Sequence, residues 1–78
     1  MSREKLKQAR KDKGITQQAM ADYLNIHISY YKKLEKGIQV GNIELWDRME
    51  DLFNIHQREL RQVFHHSSSS PNDLTNSP

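Results

Sequence analysis

Residues 16–37, TQQAMADYLNIHISYYKKLEKG, decide how this chain folds. Thr16 offers a side-chain oxygen to the first free N–H groups of a helix, so it is expected to act as an N-cap. Behind it Ala19, Met20, Ala21 and Leu24 recur at helical spacing. Asn25 stands where the chain must turn sharply, and asparagine tolerates the left-handed conformation that such a turn needs. Ile26 plugs the turn. A second helix is expected over residues 28–36, closed by Gly37. On it Tyr31 and Leu34 point inward, three residues apart. Ser29, Lys32, Lys33 and Lys36 fall at i, i+3, i+4 and i+7 on the opposite face. A short helix with apolar anchors behind and three lysines in front suits an anionic groove. The stretch reads as a helix-turn-helix.

The flanks extend the pattern. Ser2 can cap a first helix running to about residue 13, with Leu6, Ala9 and the stem of Arg10 facing inward. Lys5, Lys7, Lys11 and Lys13 are left for solvent or phosphate. Gly14 ends that helix and Ile15 anchors the entry to the next. After Gly37 comes a loop over 38–42, and Asn42 can cap a fourth helix over 43–53. Its expected inward set is Ile43, Trp46, Met49 and Phe53, widened by Leu45 and Leu52. Asn54, Ile55 and His56 repeat the turn logic, and a fifth helix is expected from 57 to about 64. There Leu60, Val63 and Phe64 make an apolar edge at i, i+3 and i+4. Residues 1–65 thus read as the domain. Residues 66–78, with a serine run and two prolines, read as a disordered tail.

Composition narrows the function. Seventy-eight residues make one small domain near the lower limit for a self-sufficient core. There is no cysteine, so neither disulfides nor thiolate metal sites can hold it together. No apolar run approaches the roughly 18 residues of a membrane span, and no signal peptide is visible, so a soluble, cytoplasmic protein is expected. The charge is polarised: residues 1–37 carry nine Lys/Arg against four Asp/Glu (+5), and residues 38–78 three against six (−3). A basic half that carries the motif is the electrostatic footprint of a nucleic-acid binder. An enzyme would need convergent nucleophile, base and oxyanion groups. Here the four histidines fall at turns or in the tail, no glycine-rich phosphate loop exists, and no cofactor is expected. His65-His66 has no acidic or thiol partner, so no metal site is expected either.

The chain resembles the Cro/phage-repressor (Xre-type) helix-turn-helix family from about Leu6 to Leu60. The family's pattern stands here as Arg10, Gly14-Ile15-Thr16-Gln17, Met20-Ala21, Leu24, Ile26, Tyr31, Leu34-Glu35-Lys36-Gly37 and the stretch 43–55. Ala21, five positions into the motif, is small enough to let the two helices approach. The resemblance implies an all-α, five-helix, lambda-repressor-like DNA-binding domain of bacterial or phage origin. It also implies that Arg10, oddly placed on an apolar face, pairs with Glu35.

Carried over by position, Ile28, Ser29 and Lys33 are the base-facing candidates, with Lys32 beside them. Ile28 can touch a thymine methyl, Ser29 can bond several bases, and Lys33 can reach guanine O6 and N7. Gln17 matches a phosphate-binding residue. Lys36, Asn42 and the amides of the 38–42 loop could hold phosphates on the far side. Tyr30 suits either a phosphate or the flank of a sugar. One recognition helix reads only a few base pairs, so a homodimer on a near-palindromic operator is expected, joined through Leu60, Val63 and Phe64.

Some positions depart from the family's pattern. His27 replaces the usual Ser or Thr cap, and Ile28 with Tyr30 makes the second helix of the motif less polar than most. Trp46 stands for the usual Leu, Glu50 for a small residue, and Gly41 for the usual Pro, which leads one to expect a loosely held loop. Transcriptional repression is the leading expectation. The alternative is a repressor-like protein-interaction module or antitoxin component that regulates through a protein partner. Clustered lysines with no acid on the exposed face argue against it.

Overall fold

The computed structural model describes residues 2–63. Five helices follow in order: α1 Glu4–Asp12, α2 Gln17–Leu24, α3 Ile28–Lys36, α4 Ile43–Phe53 and α5 Gln57–Leu60. No strand is found among the described residues, and the domain is all-α. The expected tail over 66–78, His65-His66 and Phe64 lie outside the described residues.

Each junction is set by a local polar group. The Thr16 hydroxyl accepts the Ala19 N–H at 3.0 Å, and the Asn42 side chain accepts that of Leu45 at 3.0 Å. Asn25 and Asn54 close α2 and α4 with φ of 60° and 56°, the left-handed region that asparagine tolerates. Gly37 closes α3 at φ 82°, and the Ile38 N–H reaches back to the Lys33 carbonyl at 2.9 Å.

The start of α1 differs from expectation. Ser2 does not cap it; its hydroxyl bonds the Glu4 carboxylate. The capping position belongs to Arg3, which supplies no side-chain cap. Its backbone N–H is drawn instead to the Glu35 carbonyl at 2.7 Å, and its guanidinium turns inward.

The core is built from all five helices. Leu6, Met20, Tyr31, Leu34, Trp46, Met49 and Leu60 are fully buried, with Ala21 and Leu24 between α2 and α3. α2 packs on α3, while α1 packs on both α3 and α5, and α4 on α5.

Two expectations about this core are corrected. Ile43 is 72% exposed, and Leu45 takes the inward place. The reason lies in Trp46, whose Nε1–H donates to the Val40 carbonyl at 2.8 Å. The indole thereby fills the space before the first turn of α4 and leaves Ile43 outside. The second correction concerns Leu60, expected at a dimer interface: it is 0% exposed within a single chain and closes the core. α5 also stops at Leu60 rather than near 64: the Gln62 N–H turns to the Glu59 carbonyl at 3.3 Å, three residues back, and the Arg61 carbonyl accepts Arg3 Nε at 3.0 Å. Val63, half-buried, lies against Gly37, where an added Cβ would meet Val63 Cγ1 at 3.2 Å.

The loop over 38–42 is tied from two sides. Arg3 Nη1 donates to the Gln39 carbonyl at 2.8 Å, and Trp46 holds Val40. Gly41 sits at φ 76°, a conformation closed to proline. A Cβ there would stand 2.9 Å from Trp46 Nε1 and 3.1 Å from Leu34 Cδ2. Gly41 and Trp46 are therefore one feature: the large indole occupies the room a side chain at 41 would take.

Candidate nucleic-acid interface

The outer face of α3 carries Ser29, Lys32, Lys33 and Lys36, all exposed. The helix's sole acid, Glu35, is 3% exposed and turned inward, so the outer face is uniformly basic. Amphipathic spacing does this: Tyr31, Leu34 and Glu35 form the buried edge, and the lysines fall on the opposite side. Ile28 and Tyr30 are half-buried and pack partly against the core, so each offers one flank outward.

His27 opens α3, and it does cap the helix. Its Nδ1 accepts the Ser29 N–H at 3.1 Å and lies 2.8 Å from the Ser29 hydroxyl. His56 does the same for Arg58 at the start of α5, at 3.0 Å.

Behind the basic face sits a buried polar knot. Glu35 accepts Arg10 Nε at 2.6 Å and the Tyr31 hydroxyl at 2.7 Å on one oxygen, and Gln17 Nε2 at 3.1 Å on the other. Arg10 also donates to the Ile15 carbonyl at 2.7 Å. The knot joins α1, α2 and α3, and it meets the demand that a buried charge be paired and hydrogen-bonded. Burial, then its bond to Glu35, pushes the Tyr31 hydroxyl well above the ordinary tyrosine range.

Gln17, Lys32 and Lys36 come together with Ser2, Lys7 and Glu35 around a hollow of about 270 Å³ between α1 and α3. Its rim holds three lysines. Lys7 was one of four interchangeable lysines in the sequence; only the packing of α1 on α3 selects it. Asn42 uses its side-chain oxygen as the cap of α4. No cluster of His, Asp or Glu suited to a metal ion is present among the described residues.

Sequence reasoning missed Arg3. It is 6% exposed, donates to the Leu34, Gln39 and Arg61 carbonyls, and lies 5.1 Å from the centre of the Trp46 ring. It pins the chain's start to the end of α3, the following loop and α5. No sequence signal marks it, because it precedes α1 and its partners are far along the chain.

A capped pair of helices in this arrangement, with a basic outer face on the second, defines a helix-turn-helix domain. The sequence model of the Cro/C1-type (Xre) helix-turn-helix family matches residues 6–60, most of the chain. The chain belongs to that family, which is non-enzymatic and whose domain binds DNA. A search of the curated proteins and of the solved structures finds no match. No helix among the described residues is long and apolar enough to cross a membrane.

Proposed function

We propose that this domain is a sequence-specific transcriptional repressor that reads the major groove of duplex DNA with α3. The observation that carries the reading is the outer face of α3: Ser29, Lys32, Lys33 and Lys36 are exposed, and its one acid is buried. Ser29 and Lys33 face base edges with the outer flank of Ile28, and Lys32 lies beside them. Gln17, Lys36, Asn42 and the Tyr30 hydroxyl hold phosphates, which set register without reading sequence. Occlusion is the mode that needs least of such a domain, since a helix seated in the groove blocks any competitor for the same base pairs. The protein acts as a homodimer on a near-palindromic operator, because two recognition helices about 34 Å apart supply the discrimination that one lacks. The fitting compartment is the bacterial or phage-infected cytoplasm, at the nucleoid.

Selection of bound sequences from a random duplex pool at physiological salt tests the reading. An enriched motif of two half-sites about one helical turn apart is expected. Retention of the pool with no enriched motif would reject sequence-specific regulation.

A further inference from the structure

A second cleft, of about 510 Å³, opens where the N-terminal segment meets α5, lined by Arg3, His56, Gln57, Arg58, Arg61 and Gln62. Half of its lining residues are arginines and none is an acid. Among the described residues, none of the three arginines makes a salt bridge. Of the acids nearest in sequence, Glu59 is 3.9 Å from Lys5, and Glu4 takes the Ser2 hydroxyl. Arg3 gives its hydrogen bonds, from Nε and Nη1, to neutral carbonyls, so its charge meets no acid. Burial, then the charge of Arg61, lowers the Arg3 guanidinium from its ordinary value. An anion would relieve that repulsion. The placement also runs against composition: residues 38–78 are acidic overall, yet two of their three Lys/Arg stand at this cleft.

We propose that this cleft is a second seat for backbone phosphates of duplex DNA, held by Arg58 and Arg61 over the fixed charge of Arg3. The proposal rests on the duplex-DNA reading above. Continuity favours a phosphate over a carboxylate from a protein partner. Ser2 borders the lysine hollow beside α3 and Arg3, the next residue, borders this cleft. The two basic recesses therefore flank the N-terminal segment at neighbouring residues. Arg3 also fixes Gln39, in the loop that leaves the recognition helix, so the cleft is anchored to the part of the fold that meets DNA. Guanidinium forks match phosphate oxygens in pairs, which suits them to such a seat.

Salt dependence of binding to a random duplex tests this with the whole chain. Each neutralised phosphate contributes about 0.9 to the slope of log K against log salt. Arg58→Ala with Arg61→Ala should therefore flatten the slope by about 2, and Arg58→Lys with Arg61→Lys should keep it near wild type. Both side chains sit on exposed residues. An unchanged slope in the alanine pair overturns the assignment while leaving the DNA reading intact. A slope lost equally in the lysine pair also overturns it, since charge would then not be the cause. A wild type whose binding to duplex shows no salt dependence overturns the DNA reading itself, and the cleft assignment with it.

Discussion

Arg10 Nε lies 2.6 Å from Glu35 Oε2, with both residues buried, so the first helix is locked to the end of the recognition helix. Removing one partner strands a charge where water cannot reach it, at a cost of about 3–5 kcal/mol. Glu35→Ala should show that loss, and Arg10→Met combined with Glu35→Leu should recover part of it. Chemical denaturation of wild type, both single variants and the double variant measures the coupling. Additive effects would show that the pair is not a unit.

Tyr31 makes stability depend on alkaline pH. Its folded hydroxyl is held protonated above the range in which an unfolded tyrosine ionises, near 10. With the folded value raised, the folded state binds more protons over that window, so stability falls as pH rises above about 10 and is untouched below it. Tyr31→Phe should cost about 1–3 kcal/mol at neutral pH, because Glu35 loses a donor. It should also flatten the decline above pH 10, as read from urea midpoints across pH.

Arg3 should matter far more than its position suggests. Arg3→Met keeps the apolar stem but removes donors to three carbonyls and the cation over Trp46. A loss of roughly 1–3 kcal/mol is expected, together with a shift in tryptophan emission, since Trp46 is the only tryptophan. Unchanged emission would mean that Arg3 does not cover the ring.

The contrast between Arg10 and Arg3 marks what the sequence could and could not reveal. Arg10 fell on an apolar face of a periodic helix and matched a family position, so its partner Glu35 could be named in advance. Arg3 precedes the periodic segment, and its partners lie 31, 36 and 58 residues away, where no local pattern points. Helices α2, α3 and α4 were legible because caps and period agree. Ile43 was misplaced because periodicity gives a face, whereas Trp46 decided which space that face had left. Leu60 was misassigned for a related reason: an apolar edge looks alike whether it closes a core or meets a partner. His27 capped α3 although histidine is outside the usual capping set, because Nδ1 stands where a serine oxygen would.

Readout and positioning should separate at Lys33 and Gln17. Lys33→Ala should cost about 1–3 kcal/mol on the best site and relax preference at one base pair. Gln17→Ala should weaken specific and random DNA alike, and it also removes a bond to Glu35. Competition binding against substituted sites distinguishes them. Equal weakening of all sequences by Lys33→Ala would remove Lys33 from the base-facing set.

Dimerisation now has to be sought elsewhere than Leu60, whose side chain is spent in the core. Val63 is half-covered beside Gly37, and Phe64 lies outside the described residues. Ile38, Val40 and Ile43 are 64%, 67% and 72% exposed within six residues of sequence. Three large aliphatics left in water over one short stretch offer apolar surface that a second copy can bury, and a two-fold axis there would bring the stretch against itself. The loop is held by Arg3 and Trp46 through its backbone, so its side chains can change without loss of the fold. Val40→Asp should therefore leave helical circular dichroism nearly unchanged. It should shift sedimentation toward the monomer and cut affinity for a full operator far more than for a half-site. Phe64→Asp, made alongside, should do the same only if the interface extends past residue 63. A wild type that sediments as a monomer and binds full and half-sites equally would remove the dimer from the proposal.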